Sequence, residues 1–418
     1  MTILKSKNIK LIGLFFLVFS LSYFGFNNFF PVQSKIPDTS ALTDESVDAG
    51  NQPQTGYINF SGPKTQVCPL NGALHTQAEA DIWSTRRPLM VMIENHSDSR
   101  PQSGLSNADI IYEAVAEGGI TRFMAVFYCA VLRGSSQKYD VGPVRSARSY
   151  FLDLASEYGD FPLYTHVGGA NCSAPKDEAG QSLACTTDRR AMAVEQISQY
   201  GWMNKGSWSD LSQFSLSYRV CRREPDRTGE TWDTEHSMYC STDKLWETAA
   251  EDKRGVTNIT SATGKTWDSN FKLWSFNQPD SSSASDIKNI TFDFWPGFKQ
   301  YTVSWQYDSL TNSYLRFNSG EKQIDFNNQE VLTAKNIIIQ FVKETQSVDI
   351  HQHNLYQTIG RGTGILFQNG SKADITWTKA SRTARTSFKD KSGKDINFVP
   401  GQIWIELLPI GNDVSYEN

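Results

Sequence analysis

Several familiar signatures are missing from this 418-residue chain. No Cys-x-x-Cys pair occurs, which excludes a zinc knuckle and a thioredoxin-like redox motif. The six histidines form no His-Glu-x-x-His or other metal-ligand spacing, and no Gly-x-Ser-x-Gly elbow offers a serine nucleophile. There is no excess of basic charge either. A formal net charge of -5 argues against a sequence-independent nucleic-acid binder, which needs a basic face. No acidic residue precedes Asp38 and no cysteine precedes Cys68, so the leading segment carries no lipidation cysteine.

That leading segment is informative for what it does hold. Lys5, Lys7 and Lys10 precede the uncharged run from Leu11 to Val32, 22 residues dense in Leu and Phe. A bilayer core needs about 20 apolar residues in a helix, and basic residues on the short leading side keep that side cytoplasmic. Residues 1–33 therefore read as one transmembrane helix with nearly all the mass exported; the alternative is a cleaved secretory signal. Residues 34–60, polar with Pro37 and Pro53, read as a flexible tether.

Outside the cytoplasm disulfides persist. Cys172 with Cys185, and Cys221 with Cys240, bracket polar loop-rich stretches and suit local bridges, although six cysteines allow about 15 connectivities. Cys129, at the end of an apolar run, is the best candidate for a buried free thiol.

The pattern changes along the chain. From 61 to 252, short apolar runs (88–93, 108–114, 122–128, 163–167) alternate with helical spacing at 146–158, 192–202 and 241–254, as expected of an α/β domain. Residues 253–286 are rich in Ser, Thr, Asn and Asp and read as a linker. From 287 to 413 hairpins dominate: Asn369-Gly370 between two alternating runs suits a type I′ turn, and aromatic enrichment favours strands. This part reads as a mainly antiparallel β domain.

Unusual polar residues concentrate between positions 86 and 169. Arg145 and Arg148 follow Gly142-Pro143 and, on a first helical turn, project to one face, where two guanidiniums suit a phosphate or carboxylate. Arg100 and Arg122 add to that set. If extended, Glu113 and Glu117 face one side and serve as general base or ligands. Glu94 and Asp109 are the candidates for Mg²⁺ or another divalent metal, since oxygen-rich sites suit hard cations. The bland alternative is an ion-pair network in which these groups neutralise one another. His166, beside Gly168-Gly169, is the histidine placed to line a site; His351 and His353 share a strand face as a weaker metal pair. Ser146 is a poor nucleophile candidate.

The stretches RRPLMVMIENHSDSRPQSGLSNADIIYEAVAEGGITRFMAVFY (86–128), VGPVRSARSYFLDLASEY (141–158), TEHSMYCSTDKL (234–245), LTAKNIIIQFV (332–342) and PGQIWIELLP (400–409) closely resemble the YerB-like lipoprotein family. The resemblance covers roughly 61–412. It implies an envelope location and a two-part architecture of unknown function, with this chain departing by its missing lipidation cysteine, by Glu94 where Asp is expected, and by extra cysteines at 172–240. The order of anchor, acid-ending strand and arginine loops also resembles LytR-CpsA-Psr phosphotransferases. That likeness implies a metal-assisted reaction on a phosphorylated wall or lipid substrate, with Glu94, Arg100, Asp109, Arg145 and Arg148 in the site. The sequence as a whole points to an envelope protein that binds an anionic envelope ligand or an envelope protein, with that transferase or hydrolase, or a non-catalytic scaffold, as alternatives.

Overall fold

The computed structural model describes residues 60–129, 140–204, 206–212, 216–252, 257–260, 262–277 and 287–417. The expected transmembrane helix and tether lie outside the described residues. Among the described residues no helix is long and apolar enough to cross a membrane.

The chain is mostly β, in two parts. Its backbone is a ten-stranded mixed sheet whose strands run, edge to edge, Ser387–Lys389, Ser371–Lys379, Gly360–Gln368, Asn336–Val342, Ile403–Pro409, Ile110–Glu117, Ile120–Phe127, Leu89–Glu94, Leu163–His166 and Asp210–Ser212. The sheet thus draws five strands from each half of the chain and passes from one to the other through the parallel pairing of Ile403–Pro409 with Ile110–Glu117. A second sheet, built around the strands Asn289–Phe292, Val303–Asp308 and Ser313–Asn318, also contributes to the core.

Local chemistry explains the elements. Leu89–Glu94 is buried at every position, as a central strand requires. Two hairpins turn on residues able to adopt positive φ: Gly118 and Gly119 (57° and 78°) join Ile110–Glu117 to Ile120–Phe127, and Asn369 and Gly370 (53° and 65°) join Gly360–Gln368 to Ser371–Lys379. At Gly119 a side chain would also strike the Phe298 ring, 2.3 Å from an ideal Cβ.

Helices are fewer and shorter than an α/β reading expects: Gln77–Trp83, Ser149–Ala155, Ala193–Gln199 and Thr242–Asp252 among the described residues. The first is opened by a capping box between Thr76 and Glu79. Within the Ser- and Asn-rich stretch after the last helix, Trp267 is buried edge-on against Tyr128 (5.2 Å between ring centroids).

Three disulfides brace the fold. Cys172–Cys185 and Cys221–Cys240 are local, the second joining directly paired strand residues. The expectation of a free thiol at Cys129 is corrected, since Cys129 is bonded to Cys68. The partner lies 61 residues away and is brought alongside only by the fold.

Candidate functional site

Side chains directly opposite one another on neighbouring strands share a sheet face. Glu94 and Ala114 both stand opposite Arg122, and this face carries the charged cluster. Glu113 is opposite Phe123 and Glu406, which puts it on the other face.

Alternation alone would put Glu117 with Glu113. A bulge between Val115 and Glu117 shifts the register, so Glu117 reaches the Arg122 face instead. The two glutamates expected to converge therefore separate.

On the Arg122 face, Arg148 occupies the position preceding the Ser149–Ala155 helix and grips Glu117 with two nitrogens: Nε donates to Oε2 at 2.9 Å and a terminal nitrogen to Oε1. Its remaining terminal nitrogen donates to the Ala147 carbonyl. Burial opposes charge on Glu117, but Arg148 and then Arg122 outweigh it and hold the carboxyl down at about 2. Burial likewise opposes the Arg148 charge, and Glu117 more than compensates, raising it. Arg122, 3% exposed, donates to the Ser146 carbonyl at 3.0 Å and lies 3.6 Å from Glu117. Its Nε has no hydrogen-bond partner.

Arg145 does not share a helical face with Arg148. It precedes the helix, where its backbone N–H bonds to the Met92 carbonyl, and its Nε donates to Glu94 Oε1 at 2.9 Å. The other Glu94 oxygen meets His236 Nδ1 at 2.8 Å. With its side chain 23% exposed, Arg145 is the most accessible of these three arginines, and Glu235 stands 3.6 Å from its terminal nitrogen.

The remaining candidates sit elsewhere. Arg100 folds back on Asn95, donating to its side-chain and backbone oxygens at 3.1 and 2.9 Å, with its guanidinium over the Tyr301 ring. Burial pushes that guanidinium down. Glu113 is fully buried against Arg316, which also donates to Glu406 at 2.8 Å inside a box of Phe123, Trp305 and Trp404. Burial drives Glu406 well up, so the two neighbouring carboxyls face one fixed cation with a proton held more tightly than an ordinary acid holds it.

Asp109 accepts the backbone N–H groups of Tyr128 and Cys129 (2.7 and 2.8 Å) and the Asn71 amide, beside the Cys68–Cys129 bridge. It lies at the opposite end of the strand pair from Glu94, so the two do not form one site. His166 spends one ring nitrogen on Asp210 (2.8 Å) and the other on the Gly168 carbonyl. His353 pairs with Asp349, while His351 contacts Thr186.

Sequence reasoning singled out neither Arg316, Glu406 nor His236. For Arg316 the sequence alternation misleads: Leu315 and Phe317 are the apolar pair of Ser313–Asn318, yet Tyr314, Arg316 and Asn318 are the residues that face inward. His236 lies within the distinctive TEHSMYCS stretch but has no local pattern of its own.

The geometry defines a mostly β, disulfide-braced protein whose buried ion pairs hold the central strands, with a partly open charged margin at Glu94, Arg145 and His236. The chain belongs to the family described as proteins of unknown function DUF3048: residues 74–257 match its N-terminal domain and residues 291–405 its C-terminal domain. Over 354 residues it is 28% identical to the Bacillus subtilis (strain 168) protein named "Putative lipoprotein YerB", covering 83% of this chain and 87% of that one. It is also similar to the crystal structure of YerB from Bacillus subtilis, with a TM-score of 0.61 and 26% identity over 84% of this chain and all of that one.

Proposed function

We propose that this is a membrane-anchored, extracytoplasmic envelope protein that binds an anionic envelope ligand, a phosphate or carboxylate, at the Arg122, Arg145 and Arg148 face. Three observations support the location. The relative bears the name "Putative lipoprotein YerB", the leading segment pairs lysines with an apolar run, and all six cysteines are bridged, as suits an oxidising compartment.

The binding role rests on one observation. Three guanidiniums gather around Glu94 and Glu117, with Glu235 at the rim 3.6 Å from Arg145, and a buried Arg122 N–H is left unspent. Buried donors without partners are costly, and an anion oxygen is the natural acceptor. Arg145 is the group that meets it first.

Native mass spectrometry of the full chain in detergent tests this by seeking a co-purified phosphorylated lipid or glycan. Titration with inorganic pyrophosphate and with vesicles containing a polyprenyl phosphate then separates a free anion from a lipid headgroup. Arg145→Ala is expected to weaken binding about 10- to 100-fold, the loss of one charge-assisted contact, with only a modest fall in melting temperature, because the Glu94 carboxylate keeps its His236 partner. Unchanged binding in that variant, or a collapse of stability without any binding in the parent, would leave the arginines a purely structural role.

A further inference from the structure

We infer that His96, Asp98 and His236, with Glu235 at the rim, form a site for a first-row divalent cation such as Zn²⁺. The inference does not require the anion-binding reading, although Glu94 and Arg145 border both sites. The residues come from two distant turns: His96 caps the short turn Ser97–Ser99 after the Leu89–Glu94 strand, and His236 closes the turn Thr234–His236 before the Met238–Ser241 strand.

Each of the first three offers a ligand atom within 4.8 Å of the other two. The imidazole rings lie nearly parallel, 14° apart, with centroids 4.8 Å from one another. A tetrahedral ion with nitrogen and oxygen ligands at about 2.0–2.2 Å spaces those ligands roughly 3.3–3.6 Å apart. Two nitrogen–oxygen separations approach that spacing, His96 Nδ1 to Asp98 Oδ1 and His236 Nε2 to Glu235 Oε1, both 3.7 Å. Both are long for hydrogen bonds. Asp98 and Glu235 have side chains 55% and 61% exposed, so the contraction an ion requires is free to come from them. The Asp98 N–H that now approaches His96 Nδ1 at 3.2 Å shows that this nitrogen presents a lone pair, and an ion would take its place.

The second observation is Glu94. Its Oε2 receives the His236 Nδ1 hydrogen at 2.8 Å while Arg145 pins its Oε1. A carboxylate on the far nitrogen fixes the tautomer, turns the lone pair of Nε2 outward and strengthens it as a ligand, which is the outer arrangement metal-bound histidines have. Charge agrees: the exposed carboxylates of Asp98 and Glu235 stand beside the two imidazoles, while Glu94 is already paired with Arg145. The nitrogen-rich ligand set favours Zn²⁺ over Mg²⁺, and the bridged cysteines offer no competing thiolate.

The test is calorimetric titration of the chelator-treated full chain in detergent with Zn²⁺, with Co²⁺ as a spectroscopic substitute that reports tetrahedral coordination. One ion per chain is expected. His96→Ala and His236→Ala should each weaken binding by about 100-fold or more, and Glu94→Gln, an outer-sphere change, by about 10- to 100-fold. His96 is partly exposed, so the metal-free melting temperature of H96A should match the parent, and that variant decides the matter if H236A folds poorly. No Zn²⁺ binding by the parent, or unchanged affinity in H96A, overturns the inference. His96→Ala distinguishes it from the anion reading, because that variant should lose Zn²⁺ while keeping pyrophosphate.

Discussion

Arg148 holds Glu117 through two nitrogens, and a bulge in the strand brings the carboxylate within its reach. The pair is unevenly covered, with Glu117 about a third exposed and Arg148 almost fully enclosed. Its consequence is a pH dependence with a definite sign. The folded carboxyl is held below its usual 4.5, at about 2. Its contribution is therefore complete above pH 4.5 and lost as pH falls toward 2. Glu117→Gln should flatten that limb of a melting-temperature profile and cost about 1–2 kcal/mol at neutral pH, after allowance for solvent screening. A profile identical to the parent's between those limits would show the pair contributes nothing.

Arg316 has no such solvent contact. Its removal strands Glu113 and Glu406 among aromatic rings, and Arg316→Ala should cost about 3–5 kcal/mol in denaturant unfolding. Adding Glu113→Gln and Glu406→Gln to an Arg316→Met background should restore part of it, because unpaired buried charge and not lost attraction is the larger cost. A loss below about 1 kcal/mol in R316A would refute this account.

The bridges should differ in value. Closing 61 residues constrains the unfolded chain more than closing 13. On chain-entropy grounds Cys68→Ala with Cys129→Ala should cost about 4 kcal/mol, against about 3 for the 172–185 pair. Thermal unfolding of the two double variants gives the order, and the reverse order would contradict it.

Asp325 carries the loop at 104–106. Its carboxylate accepts the backbone N–H groups of Gly104 and Ser106 and the Ser106 hydroxyl, all within 3.0 Å, although more than 200 residues separate them. Asp325→Ala should speed amide exchange at Gly104 and Ser106 and cost about 2–4 kcal/mol, since buried donors are left unmet. Protection unchanged at both amides would show that the loop holds itself.

What the sequence disclosed followed the range of the interaction. The Asn369-Gly370 hairpin was legible because positive φ is a local demand, and the two short disulfide loops because both ends lie nearby. The Cys68–Cys129 bridge and the Arg316–Glu113 pair were not, because each joins positions that only the finished sheet brings together. The shared face expected of Glu113 and Glu117 failed on one extra residue in a strand, which no periodicity announces. The guanidinium–carboxylate gathering at Arg122, Arg145 and Arg148 was legible as a set of residue types, whereas its pairings were fixed by burial.

The strand Ile403–Pro409, nearly the last of the chain, lies between Asn336–Val342 and Ile110–Glu117. Until it emerges, the early strand Ile110–Glu117 keeps a bare row of amides and carbonyls on one side, the arrangement most prone to wrongful pairing. A chain broken off before residue 403 would thus be a sticky fragment and not a smaller working module, and the arrival of that late strand is the step that seals Ile110–Glu117.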